Sequence, residues 1–128
     1  MNTRRGPLIA VALLVVAVVL FAVLHRSSDS SNVATGVQKF VIQGNEVEGG
    51  PRDVTVNKGD EVRLAATAPF DFQLHIHGYE IEKAGKPGQT VNVSFPATID
   101  GEFEIEVHHL VNGEEASAVE VGNLKVNP

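Results

Sequence analysis

Four of the five histidines in this chain stand in two tight pairs, His75/His77 and His108/His109. Around the first pair, Phe72, Leu74 and Ile76 alternate with Gln73, His75 and His77. On a β-strand that alternation sends the apolar residues to one face and the histidines to the other. Side chains two apart on one strand face start about 7 Å apart, close enough for two imidazoles to converge on one ion. His75-Ile76-His77 is therefore a candidate two-point metal clamp that needs a third ligand from elsewhere in the chain. The later pair offers one. Phe103, Ile105 and Val107 alternate with Glu102, Glu104 and Glu106, so continuing the period places His108 on the glutamate side and His109 on the apolar side. The candidate ligands are His75, His77, His108 and His109; alternation puts His109 in phase with an inward-facing ligand and by itself leaves the third ligand open between the later two.

Composition narrows the chemistry. The chain has 128 residues and no cysteine, so thiolate ligands, disulfides and a cysteine nucleophile are all excluded. Without a thiolate there is no blue copper centre. Met1 is the one methionine, which leaves no thioether inside a folded domain. A formal net charge of -6 argues against nucleic acid as a partner. No Ser/His/Asp set or isolated acid pair stands out as a catalytic constellation. The row Glu102/Glu104/Glu106 reads as the solvated face of an outer strand. Asp71 reads as a turn cap, Tyr79 as a packing residue, and Glu80 and Glu82 as solvent-facing.

The elements that position these residues come in three parts. Leu8 to Leu24 is an uninterrupted apolar run preceded by Arg4 and Arg5. As a helix it extends about 25 Å, and with its flanks it just crosses a bilayer. The arginines favour a cytoplasmic N-terminus and an extracytoplasmic C-terminal part. The segment ends Phe21-Ala22-Val23-Leu24-His25, a poor cleavage site, which favours an uncleaved signal-anchor over residues 1–25. Residues 26–35 are a Ser-rich tether too polar to fold alone. From Gly36 to Pro128 short strands alternate with turns such as Asn57-Lys58-Gly59-Asp60, Lys86-Pro87-Gly88 and Asn112-Gly113. The strands are expected at 37–42, 53–56, 61–65, 72–77, 90–95, 102–107 and 118–126. The pattern predicts an all-β domain, a Greek-key β-sandwich, behind an N-terminal transmembrane helix.

Several stretches carry a family resemblance. Thr55-Val56-Asn57-Lys58-Gly59-Asp60-Glu61-Val62 resembles a strand–turn–strand signature of cupredoxins. Pro87-Gly88-Gln89-Thr90 resembles their mid-chain turn, and Gly122-Asn123-Leu124-Lys125-Val126 their closing strand. Ile99-Asp100-Gly101-Glu102-Phe103-Glu104-Ile105 is similar to the strand leading to the copper cysteine. His77-Gly78-Tyr79 is similar to the His-Gly-Phe of the copper domain of nitrous-oxide reductase. The whole chain resembles small membrane-anchored cupredoxin-like proteins of the plastocyanin/azurin superfamily. The resemblance implies a copper site at one end of the sandwich, with His77 as its first histidine, and its pattern favours His108 over His109 as the third ligand. It departs at Val107, which stands where the copper cysteine would fall, and at the missing distal methionine. Electron transfer by a blue copper centre is therefore not implied. The reading is a membrane-anchored extracytoplasmic domain, in the periplasm or at the cell exterior, that binds copper through histidines alone. Zinc is the alternative ion, and the expected partner is a protein that donates or accepts copper. A metal-free structural or partner-binding sandwich of the cell envelope is the competing reading. An enzyme using a three-histidine ion is a third, supported by nothing beyond the ligands.

Overall fold

Strict alternation of apolar residues shapes the structure, a computed structural model that describes residues 33–128. The segment 1–25 and residues 26–32 of the tether lie outside the described residues. Among the described residues no helix is long and apolar enough to cross a membrane. The described chain is built from strands β1 (Gln38–Gln43), β2 (Glu46–Val47), β3 (Val54–Asn57), β4 (Glu61–Thr67), β5 (Phe72–Ile76), β6 (Ile81–Gly85), β7 (Thr90–Pro96), β8 (Gly101–Val111) and β9 (Glu114–Asn127).

These strands form two sheets, β2-β1-β4-β7 and β3-β9-β8-β5-β6. Phe40, Leu64 and Val91 from the first sheet share one hydrophobic core with Leu74, Val107 and Leu124 from the second. Two β-sheets enclosing one core make the predicted sandwich. All strands anticipated from alternation form, with shifts of a residue or two for most. β8 and β9 run longer than expected: β8 continues through His109 to Val111, and Glu114 and Glu115 belong to β9 rather than to a loop.

Two strands are additions. β2 is two residues long, and β6 has the exposure of an edge strand, with Glu82, Lys83 and Ala84 all exposed. β6 nevertheless matters to the candidate site, because it pairs with β5 and places Glu82 opposite His75.

The central pairing is β5 with β8. In this antiparallel register Leu74 lies opposite Val107 and Ile76 opposite Ile105, all four fully buried. The intervening residues project from the outer face of the sheet. His75 lies opposite Glu106 and Gln73 opposite His108. Burial of four large apolar side chains on the inner face locks the register, and a slip of one residue would turn every histidine into the core.

Candidate metal centre

His75, His77, Glu106 and His108 converge on the outer face of the five-stranded sheet. One nitrogen or oxygen from each lies within 4.8 Å of all the others. The β5–β8 register supplies most of this: directly opposed side chains have Cβ atoms about 5 Å apart, and His75 and Glu106 are such a pair. His108, next on the outer face of β8, faces His75 edge-on at a ring-centroid distance of 5.2 Å.

His77 lies just beyond the end of β5, yet its amide donates to the Glu104 carbonyl at 3.0 Å, so the pairing persists through it. The chain then turns at Gly78, which has φ of 76°. A Cβ there would sit 2.3 Å from the Phe103 ring, so only glycine fits. Tyr79 anchors the turn from the other side. Its ring packs on Phe95 and Phe103, and its hydroxyl donates to the Ile99 carbonyl at 2.8 Å. This turn brings the His77 ring back over His75, stacked at 4.2 Å between centroids.

Glu106 is the centre of the polar network. One oxygen, Oε2, accepts from Nε2 of His77 at 2.8 Å and from Nε2 of His108 at 3.0 Å. Burial pushes the Glu106 carboxyl upward, but the hydrogen bonds from His77 and His108 outweigh it and hold its pKa below the ordinary value. The Glu106 hydrogen bond is also the main cause that raises the His77 pKa above its ordinary value. Desolvation opposes it, and the charges of Glu106, Glu104 and Glu80 reinforce it. On its other side, Nδ1 of His108 faces Oε2 of Glu115 at 3.1 Å.

His75 is the exception. Its side chain is only 13% exposed, and neither Nδ1 nor Nε2 has a hydrogen-bond partner among the described residues. The nearest carboxylate oxygen, on Glu82, is 3.8 Å from Nε2, too far for a hydrogen bond. Leaving a buried polar nitrogen unpaired costs about 1–3 kcal/mol.

His109 lies apart from this group. It points away from the histidine face of β8 and stacks on Phe70 at 4.1 Å. Asp71 also lies elsewhere, paired with Lys86 at 3.2 Å. Glu106 was the residue that alternation alone assigned to a solvated face. It is mostly buried and belongs to the group, because β5 covers one flank of β8. The group lies on the outer face of the sheet, at and just beyond the C-terminal end of β5.

Comparisons with known proteins address the fold. A chain of a heme-copper terminal oxidase dimer solved by cryo-electron microscopy superposes with a TM-score of 0.52 at 16% identity, covering 95% of this chain and 97% of that one. A multicopper oxidase matches with a TM-score of 0.55 at 19% identity, covering 72% of this chain. The blue copper oxidase from Nitrosomonas europaea matches at 0.53 and 18% identity, again over 72% of this chain. The domain is cupredoxin-like. This chain spans 42% and 38% of the two oxidase chains, so the likeness is to one part of each. No protein-family model matches the chain, and no curated protein matches it.

Within this cupredoxin-like domain, Val107 occupies the position that the resemblance aligns with a copper cysteine, and its side chain is fully buried in the core. The polar donors lie instead on the opposite face of the same strand. Their chemistry fits a divalent transition metal. Imidazole and carboxylate both bind such ions at about 2.0–2.2 Å, so any two ligands of one ion lie within about 4.2 Å of each other. Side-chain adjustments of under about 1 Å bring the four atoms into that range. One of the two unpartnered nitrogens of His75 is then satisfied by the ion, while the other carries the ring proton.

Proposed function

We propose that this cupredoxin-like domain binds one divalent copper ion on the outer face of its five-stranded sheet. His75, His77 and His108 and a carboxylate oxygen of Glu106 would hold it. The observation that carries this reading is His75: a mostly buried imidazole, with no hydrogen-bond partner among the described residues, directed into a cluster of three other potential ligands. A structural histidine at such a position normally finds a partner. Copper is favoured over zinc because nitrogen-rich sites bind copper(II) most strongly among divalent first-row metals. The copper proteins that share the fold support the same choice.

The function is copper handling rather than electron transfer. With no cysteine in the chain, no thiolate is available to build a blue centre. An ion held by imidazole and carboxylate is retained in its divalent state and passed on through a site open to solvent. The His77 side chain, 43% exposed, is the open side. The apolar run 8–24, with its preceding arginines, supports placing the domain at the extracytoplasmic face of a membrane. The partner is then a protein that delivers or removes copper there.

The test is copper(II) titration of the untagged chain, followed by calorimetry and electron paramagnetic resonance. Wild type is expected to bind one ion per chain and to lack an intense blue absorption band. The His75→Ala, His77→Ala and His108→Ala variants are each expected to bind far more weakly. A titration in which zinc outcompetes copper would reassign the ion. Equal binding by wild type and all three variants would favour the metal-free sandwich.

A further inference from the structure

Glu115 does not belong on the histidine face by simple alternation. Ala118 lies opposite His108 in the β8–β9 ladder and shares its outer face, and Ser117 lies opposite His109. Counting back in steps of one, Ala116 would face outward and Glu115 inward. The ladder, however, shifts between His109 and Leu110. Leu110 pairs with Glu115, so Ala116 is an extra residue in β9. Such a bulge re-aims the side chains that follow it. Here it turns Glu115 onto the outer face, one position along from His108. The tight Asn112-Gly113 turn, with φ of 54° and 82°, fixes this end of the hairpin. The result is the 3.1 Å approach of Glu115 Oε2 to Nδ1 of His108. Among the described residues its one ion pair is this contact with His108, and its side chain is 53% exposed.

An imidazole binds a metal through one nitrogen only when the other carries the proton. A carboxylate accepting that proton selects the tautomer and sets the ring plane. We propose that Glu115 is a positioning residue for the metal centre: it accepts the Nδ1–H of His108, leaving Nε2 directed at the ion, and the bulge at Ala116 places it there. The inference rests on the copper-site reading and extends it to a residue that touches no ion. It makes the β8–β9 hairpin end part of the site. It also divides two carboxylates by role, with Glu106 facing the ion through one oxygen and Glu115 standing behind His108.

The test uses the full chain in detergent, titrated with copper(II), as wild type, Glu115→Ala and Glu115→Gln. Loss of such a supporting carboxylate lowers metal affinity about 10–100-fold, and Glu115→Ala is expected to fall in that range. Glutamine retains an acceptor oxygen, so Glu115→Gln is expected to recover most of the affinity. Pulsed electron paramagnetic resonance supplies a second readout, because the remote imidazole nitrogen senses the hydrogen bond made by its N–H. One set of remote-nitrogen frequencies should change in Glu115→Ala and return in Glu115→Gln. Wild-type binding with unchanged affinity and frequencies in Glu115→Ala would overturn this proposal and leave the copper site standing. Failure of wild type itself to bind copper would overturn both.

Discussion

The two faces of the β5–β8 ribbon differ in what their residues do for the protein. On the inner face, Leu74, Ile76, Ile105 and Val107 are fully buried and packed in the core shared by both sheets. On the outer face, one residue out of register with them, stand His75, His77, Glu106 and His108. The inner face stabilises the fold and holds the register. The outer face uses that register, and part of it is unfavourable on its own, since the His75 side chain has no hydrogen-bond partner among the described residues. The comparison teaches that one alternating sequence can encode a core and a binding site at once, provided that the core is strong enough to fix the alignment.

The largest effects should come from the inner face. Leu74→Ala removes a fully buried side chain and should destabilise the domain by about 2–5 kcal/mol, read from urea unfolding. Copper affinity should fall only as the fold is lost. On the outer face the pattern should invert. His75→Ala should leave the metal-free domain as stable as wild type or slightly more so, because an unpaired buried nitrogen is removed. Its copper affinity should drop by more than the roughly 10–100-fold expected for losing a supporting partner behind a ligand. If His75→Ala unfolds the domain as readily as Leu74→Ala, the distinction between the two faces fails.

The pH dependence sharpens the same contrast. Copper binding requires neutral imidazoles, so affinity should weaken as pH falls. The raised pKa of His77, caused chiefly by its hydrogen bond to Glu106, should start that weakening above the ordinary histidine range. The metal-free fold should behave in the opposite way there. The raised His77 pKa contributes stability that is fully present below the unfolded histidine value and is lost as pH rises through the folded one. The depressed Glu106 pKa contributes stability above the unfolded carboxylate value, lost as pH falls through the folded one. The pair thus supports the metal-free domain most strongly between those two limits. Thermal melts with and without copper check the sign: across the His77 titration copper stabilisation should grow with pH while metal-free stability declines, and in acid metal-free stability should fall as Glu106 is protonated. The smallest effect belongs to His109→Ala, which removes a ring stacked on Phe70 and should leave copper affinity unchanged.

Much of this ribbon was legible beforehand. The alternation from Phe72 to His77 placed His75 and His77 together, and the alternation from Phe103 carried His108 to the glutamate side. Both follow from the two-residue period of a strand, which is local. What escaped sequence reasoning depends on pairing between distant segments. Glu106 looked solvated because nothing in its own strand shows that His75 will lie opposite it. Glu82, on the unalternating edge strand β6, reads as surface until β6 pairs with β5. Glu115 reads as loop, and its aim depends on one extra residue in the β9 ladder. The resemblance points to the strand position that carries the copper cysteine in cupredoxins. In this chain that strand position is the buried Val107, and the donors gather on the other face.

The most direct measurement of the central claim is copper(II) stoichiometry of the untagged full chain beside a His75→Ala/His77→Ala/His108→Ala variant, both followed by electron paramagnetic resonance at sub-stoichiometric copper. The account predicts one tightly bound copper(II) per wild-type chain, with imidazole nitrogen couplings, and no such species in the triple variant although it remains folded. Identical copper spectra and stoichiometry in the two proteins would contradict it.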